Sequence, residues 1–384
     1  MRPLLLLLLL ALFVAPLASA QEDKGGSDAA SSAATATVDR FPVEIDGKWG
    51  YVDRQGALVI EPQYDQAWPF REGRARVLQF GRFGFIDAAG ALAVPLRFDN
   101  AYDFSGGRAR VEQFEAAYSG QRRRVLPAGR KLSGYVGPGG EVVVPPRYYE
   151  GRDFADGVAP VRLMDGLNVF NLFWLFKRPT TWAVIGPDGE VRFDSGDRDF
   201  GRASEGRLAY QERGALFSSP RWGYLDTEGR AAIAPQFSRA HGFSDGLACV
   251  GLDDRSGYVD ADGRLVIAAE FEGCGRFSGG VAPVQDPESD RWGYVDEAGA
   301  WVTEPQFLFA DQVEEGLAMV QAEDERFGFV APGDGYVLPA VYDWARPFEG
   351  GLAYVRQGTV EGYVDRTGAF VWQKPAEVAA GAGE

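Results

Sequence analysis

Few residues in this chain have the types and spacings that chemistry needs. His241, in Ala240-His241-Gly242-Phe243, is the one imidazole among 384 residues. A Ser-His-Asp relay would have to run through it, and no Gly-x-Ser-x-Gly elbow is present. His241 is therefore read as a surface histidine in a turn. Asp53, Asp87, Asp226, Asp260, Asp296 and Asp365 recur along the chain. Calcium needs several oxygens at one point, and these acids stand far apart, each next to a turn glycine. They are read as turn residues. The tighter group Asp253, Asp254, Asp260 and Asp262 is the best calcium candidate, and a solvated hairpin accounts for it. Acids are plentiful enough for glycoside hydrolysis, but nothing singles out a pair. No catalytic residue, metal or cofactor is assigned. Cys249 and Cys274 can pair in an oxidising compartment; a disulfide and two small buried thiols both remain open.

Two insertions carry a sharper signal. Residues 115–133 contain Arg122-Arg123-Arg124 and Arg130-Lys131 in a chain of net charge −16. Residues 164–180 contain Phe170, Phe173, Trp174 and Phe176, too short a stretch to span a bilayer. A basic loop suits an anionic partner, and exposed aromatics mark contact sites. The plain alternatives are a solvated hairpin and a segment folded back as a cap.

The bulk numbers set the elements that must hold these residues. Gly 50 stands beside Trp 9, Tyr 15 and Phe 26, a composition for short strands and tight turns. Residues 1–20 read as a signal peptide: Arg2, the apolar run Leu4 to Val14, then Ala18-Ser19-Ala20 as a cleavage site. A retained anchor is the alternative, and the apolar run is short for one. The expectation is an exported protein, periplasmic or secreted. The acidity argues against nucleic-acid binding. Residues 21–40 and 373–384, rich in small and polar residues, are expected to be disordered.

One pattern organises the rest. Trp49-Gly50-Tyr51-Val52-Asp53 is followed by Gly56, Val59-Ile60, Pro62, Tyr64, Ala67, Phe70, Gly73, Ala75 and Val77. The second position recurs at Gly50, Gly84, Gly134, Ala183, Gly223, Gly257, Gly293, Gly328 and Gly362, about 35 residues apart where no insertion intervenes. Trp222-Gly223, Asp226 and Gly229, and Trp292-Gly293, Asp296 and Gly299, repeat the first copy closely. Trp49 to Val52 predicts a strand, Asp53 to Gly56 a turn, Ala57 to Ile60 the returning strand and Arg74 to Val77 a third. Pro62 is expected to end pairing. A unit this small cannot bury its own apolar face, so neighbours must stack.

These residues resemble the WG-repeat family of bacterial proteins, over residues 41–372. Ser133, Gly137 and Ala183 depart from its pattern. The resemblance implies an all-β repeat and no defined activity. From the residues, the preferred architecture is an open superhelical array of three-stranded units. The alternative is a closed propeller-like ring in which Phe41 to Ile45 and Glu361 to Trp372 share one split unit. The function expected is a non-catalytic scaffold that binds a protein in the cell envelope. A glycan-binding module, or contact with a membrane surface, comes second, and a hydrolase third. Trp49, Trp222 and Trp292 are expected to be mostly buried, which disfavours sugar binding.

Overall fold

The computed structural model describes residues 39–114, 131–163, 181–196, 198–212 and 219–375. They form nine antiparallel sheets, eight of four strands and one of three, in strict chain order. Blade 2 shows the plan. Its strands are Gln66–Arg71, Arg74–Gln79, Arg82–Ile86 and Leu92–Phe98, hydrogen-bonded in that order. Single residues such as Asp65 and Asp99 link the fourth strand of one blade to the first strand of the next. The other four-stranded blades span residues 100–148, 150–196, 199–237, 239–271, 273–307, 309–342 and 344–373, as blades 3 to 9. Blade 1 has three strands, Phe41–Ile45, Lys48–Val52 and Leu58–Tyr64, which take the second to fourth positions.

The repeat residues build this plan directly. The Asp53 carboxylate accepts the N–H groups of Gln55 (3.0 Å) and Ala57 (2.9 Å), which closes the turn between third and fourth strands. Gly56 completes it at φ +81°, and a Cβ there would overlap the Val371 carbonyl of blade 9. Asp87, Asp226, Asp260, Asp296 and Asp365 accept the same pair of amides in their blades. Gly50 has a different cause. The fourth strand bulges between Tyr51↔Ile60 and Trp49↔Tyr64, setting Glu61, Pro62 and Gln63 against one residue. That bulge presses the Ile60 carbonyl onto Gly50, where no side chain fits.

Blades pack face to face. Ala67, Phe70, Ala75, Val77 and Ile86 of blade 2 bury against Tyr51, Ile60 and Tyr64 of blade 1. The third residue of each start is the deepest. Tyr51, Tyr135, Tyr224, Tyr258 and Tyr294 have no exposed surface. Their hydroxyls donate to first-strand-region carbonyls of the following blade: Trp68, Arg152, His241, Gly275 and Asp311, at 2.7–2.9 Å. Burial pushes these phenols far above the usual tyrosine range.

The last blade packs on the first. Phe41, Val43 and Val52 share a buried cluster with Leu352 and Tyr363. The Tyr363 hydroxyl donates to the Pro42 carbonyl at 3.0 Å, and Lys374 Nζ meets Glu44 Oε2 at 2.7 Å. The nine sheets therefore close into a ring, a nine-bladed β-propeller.

Four expectations are corrected. The array is closed, not open, because blade 9 finds on blade 1 the partner face that every other junction has. The unit is four-stranded: residues 66–71, left without a strand by the sequence pattern, pair with 74–79. No unit is split, since Phe41–Ile45 pairs with Lys48–Val52 in blade 1 and blade 9 has four strands of its own. Pro62 sits inside a strand, at its bulge, and does not end pairing.

Candidate functional site

Antiparallel strands put the turns on two rims. One rim holds the turns between first and second strands and between third and fourth strands. Here Glu72 accepts the N–H groups of Gly106 (2.8 Å) and Gly107 (2.9 Å) of the next blade. Asp156 serves Gly206, Glu205 serves Gly246, Asp245 serves Gly280, and Glu315 serves Gly350 and Gly351 in the same way. These rim contacts lock neighbouring blades together.

The opposite rim holds the hairpins between second and third strands. In three consecutive blades, 3, 4 and 5, residues 115–130, 164–180 and 213–218, outside the described residues, stand in sequence between the second and third strands. Arg122, Arg123, Arg124, Arg130, Phe170, Phe173, Trp174 and Phe176 lie outside the described residues. Lys131 is described: it pairs with Phe114 at the root of the blade 3 hairpin, its ammonium 5.4 Å from that ring. The same rim exposes Phe80 at the tip of the blade 2 hairpin, 85% accessible and at φ +53°. Asp46 and Asp253 hold the corresponding left-handed position in blades 1 and 6. A phenylalanine there accepts a cost of about 1 kcal/mol for its Cβ and leaves its ring in water. Phe114 and Tyr149 are exposed on the same side of blades 3 and 4. Sequence reasoning missed Phe80; the signal was an aromatic before Gly81 where other copies carry Asp.

The first strands converge on the axis. Arg202 of blade 5 donates to Ser105 Oγ of blade 3 at 2.7 Å, and Arg71 of blade 2 pairs with Glu349 of blade 9, each passing over the blade between. At the hub end of the blade 2/3 junction, Arg76 lies 4.1 Å over the Trp68 ring and 3.2 Å from Asp103. At the blade 3/4 junction, Arg110 lies 3.2 Å over Tyr102 and 3.2 Å from Asp153. Burial raises the Asp103 carboxyl pKa despite the opposing pull of Arg76 and Arg71.

The remaining candidates have structural places. Cys249 and Cys274 form a disulfide, with Cα atoms 6.0 Å apart, which ties blade 6 to blade 7. They hold the repeat positions through which Arg76 reaches the next blade at Ala101. Trp49, Trp222 and Trp292, expected to be mostly buried, are half-buried, each against its own blade's cluster. They are not an array of open sugar platforms. Asp253 meets Arg221 (3.9 Å) and Asp262 meets Arg264 (3.0 Å), contacts of a solvated surface. Among the described residues no three His, Cys, Asp or Glu side chains are grouped to hold a metal ion, and no helix is long and apolar enough to cross a membrane. His241 is exposed and faces the hub, not an outer turn.

A closed ring of nine short-linked blades, with its start residues spent on turns and junctions, defines a repeat β-propeller. The chain belongs to the family of proteins built from the WG-containing repeat, whose model matches residues 49–79, 83–113, 134–167, 222–255, 257–286, 292–325 and 333–358. No curated protein matches its sequence. Among solved structures it is similar to one titled a crystal structure of the eukaryotic initiation factor, at 9% identity and TM-score 0.54, covering 88% of this chain and 96% of that one. That likeness concerns the fold alone. A further match is the acylaminoacyl peptidase of Pyrococcus horikoshii, at 11% identity and TM-score 0.37, covering 74% of this chain and 58% of that one.

Proposed function

We propose that this protein is an exported, non-catalytic ring scaffold that docks a protein partner in the cell envelope on its hairpin rim. The exposed Phe80 ring at a left-handed turn carries the reading. A buried or capping role would hide such a ring, and a purely structural turn would use the Asp or Gly of the other copies. Phe114 and Tyr149 extend the apolar contact across blades 3 and 4. The described residues next to the basic and aromatic insertions, Phe114, Lys131, Leu163 and Thr181, lie on this same rim. Their sequences suit a partner with acidic and apolar surface. Export rests on the sequence of residues 1–20 and is consistent with the disulfide.

The test is site-specific photo-crosslinking in cells. A crosslinker at position 80 or 114 is expected to give one discrete adduct. The same group at Leu265, on an outer blade edge, is expected to give none. Phe80→Asp with a crosslinker at 114 should lose the adduct while the far-UV spectrum is kept. Adducts of equal yield from positions 80 and 265 would remove the reading.

A further inference from the structure

The hub is not uniform in charge. One repeat position, the second of the two residues that bulge from each first-strand region, is Asp103 in blade 3 and Asp153 in blade 4. Each neutralises an arginine of the preceding blade, Arg76 or Arg110. In blade 7 the same position is Arg276. The neighbouring position in blade 6, next to it around the ring, is His241, and Arg239 stands two residues earlier on the same chain segment.

This group lacks the acid that the other side of the hub supplies. Arg239 donates to the Ser256 hydroxyl at 2.9 Å and to the Glu272 backbone carbonyl, both uncharged. The Glu272 carboxylate is held by Arg255 at 3.0 Å. Among the described residues no carboxylate lies within ion-pair distance of Arg239, His241 or Arg276. Most arginines of this acidic chain do find one.

The three residues are also well placed. The His241 backbone is fixed twice, its carbonyl by the Tyr224 hydroxyl (2.7 Å) and its N–H by the Cys249 carbonyl (3.0 Å). The residue before Arg276 is fixed likewise, by Tyr258 at the Gly275 carbonyl (2.9 Å) and by the Pro283 carbonyl at its N–H (2.8 Å). The Cys249–Cys274 disulfide joins the two segments directly behind them. All three cationic or titratable side chains are exposed. Solvent-facing groups of one sign, on backbone segments held by hydrogen bonds and a disulfide, suit an anion site, because the backbone beneath them need not be ordered on binding.

We infer that Arg239, His241 and Arg276 form an oxyanion-binding site at the hub end of blades 6 and 7, which takes a phosphate or carboxylate group. This site is separate from the hairpin-rim contact and stands or falls independently of it. Arg239 and Arg276 face the His241 ring from its own blade and from the next. Partial burial, and after it these two positive charges, hold its pKa below the ordinary histidine value. A bound anion reverses that field.

His241 is the only histidine, so its ring gives one histidine signal in NMR. The test is to titrate that signal with pH in chloride buffer, then with inorganic phosphate, then with citrate. The expected result is a saturable rise of about one pKa unit with at least one of the two, the size an adjacent opposite charge produces. A larger rise with phosphate assigns the phosphate group, and a larger rise with citrate assigns carboxylate. Arg276→Gln should raise the His241 pKa in chloride and abolish the response to both anions, with an unchanged far-UV spectrum. Arg230→Gln, on a distant turn, should leave the response intact. An unchanged titration in both anions, or a response that survives Arg276→Gln, would overturn the inference.

Discussion

The ring has two kinds of blade junction. Eight join blades that follow each other in the chain, and one joins blade 9 to blade 1 with no covalent link beside it. At an ordinary junction, a first-strand phenylalanine packs edge-on against the start aromatic of the previous blade: Phe70 on Tyr51, Phe104 on Phe85, Phe277 on Tyr258, at 4.8–5.3 Å between ring centres. Blade 1 has no first strand among the described residues, so that phenylalanine has no place to come from. Phe41 supplies it from the second strand, 5.3 Å from Tyr363. Where other blades place Ala75, Ala109 or Ala282, blade 1 places Phe41. The Tyr363 hydroxyl likewise turns to Pro42 in place of a first-strand carbonyl. Pro42, buried on the edge strand of blade 1, also has no N–H to leave unpaired there. The junction chemistry is thus preserved while the strand that normally delivers it is not. The ring depends on a set of contacts, not on a complete blade.

Four expected outcomes probe that difference. The largest concerns Phe41. Phe41→Ala should cost about 3–5 kcal/mol, as a buried phenylalanine does, and should open the ring at this seam. Urea denaturation gives the magnitude, and amide exchange should rise first in residues 41–52 and 352–372. Phe277→Ala should cost a similar amount without faster exchange at the seam. If Phe41→Ala exchanged no faster there than Phe277→Ala, the two junctions would be equivalent.

Next comes the covalent junction. Replacing Cys249 and Cys274 together by Ala should cost about 3 kcal/mol, from the closed loop alone. Thermal unfolding with and without reductant measures it. A variant as stable as the oxidised protein would show that blades 6 and 7 need no tie.

Smaller again, Tyr363→Phe should cost about 1 kcal/mol, the net value of one hydrogen bond. Tyr294→Phe, which removes the same bond to Asp311 at an ordinary junction, should match it in equilibrium stability. Only the seam variant should speed exchange at Val364. Equal exchange in both would again erase the distinction.

The smallest effect is electrostatic. The Thr367 hydroxyl and the turn amides hold the Asp365 carboxyl below the ordinary aspartate value, and the Arg230 side chain and turn amides lower Asp226 in an ordinary blade. Each group is more acidic folded than unfolded, so its contribution is complete at neutral pH. It declines as pH falls below the unfolded value of about 3.9. Acid titration of Asp365→Asn and Asp226→Asn should show a shallower loss than the parent in that window. A parallel decline would mean that these turns do not contribute to acid stability.

Much of this was readable in the sequence, and the failures have physical causes. The turns were legible because Asp53-x-x-Gly56 encodes a local hydrogen-bond pattern that needs no neighbour. The first strand was not. Gln66 to Arg71 buries Ala67 and Phe70, three apart across a two-residue bulge, and carries Pro69, so strand periodicity fails there. Closure was offered only as the alternative, because it hangs on Phe41 and Tyr363, whose meeting no local rule foretells. A trace was present, since Phe41-Pro42-Val43 fits the Ala75-Arg76-Val77 frame with one residue too large. Spacing alone could not pair Cys249 with Cys274. Their repeat positions, which meet across other junctions as Arg76 and Ala101, point to it. At the hub, the exchange of Asp103 for Arg276 at one repeat position was visible once copies were aligned by strand.

The carboxylates of the glycine rim carry one more consequence. In each of these contacts between blades the acceptor lies earlier in the chain than the glycine it serves: Glu72 before Gly106, Asp156 before Gly206, Glu205 before Gly246, Asp245 before Gly280, Glu315 before Gly350. A chain made from its N-terminus therefore offers blades 3, 5, 6, 7 and 9, as they emerge, a waiting acceptor on the blade before. Order of synthesis thus favours assembly from blade 1 onward, and the contacts of blade 9 on blade 1, Tyr363 on Pro42 among them, come last.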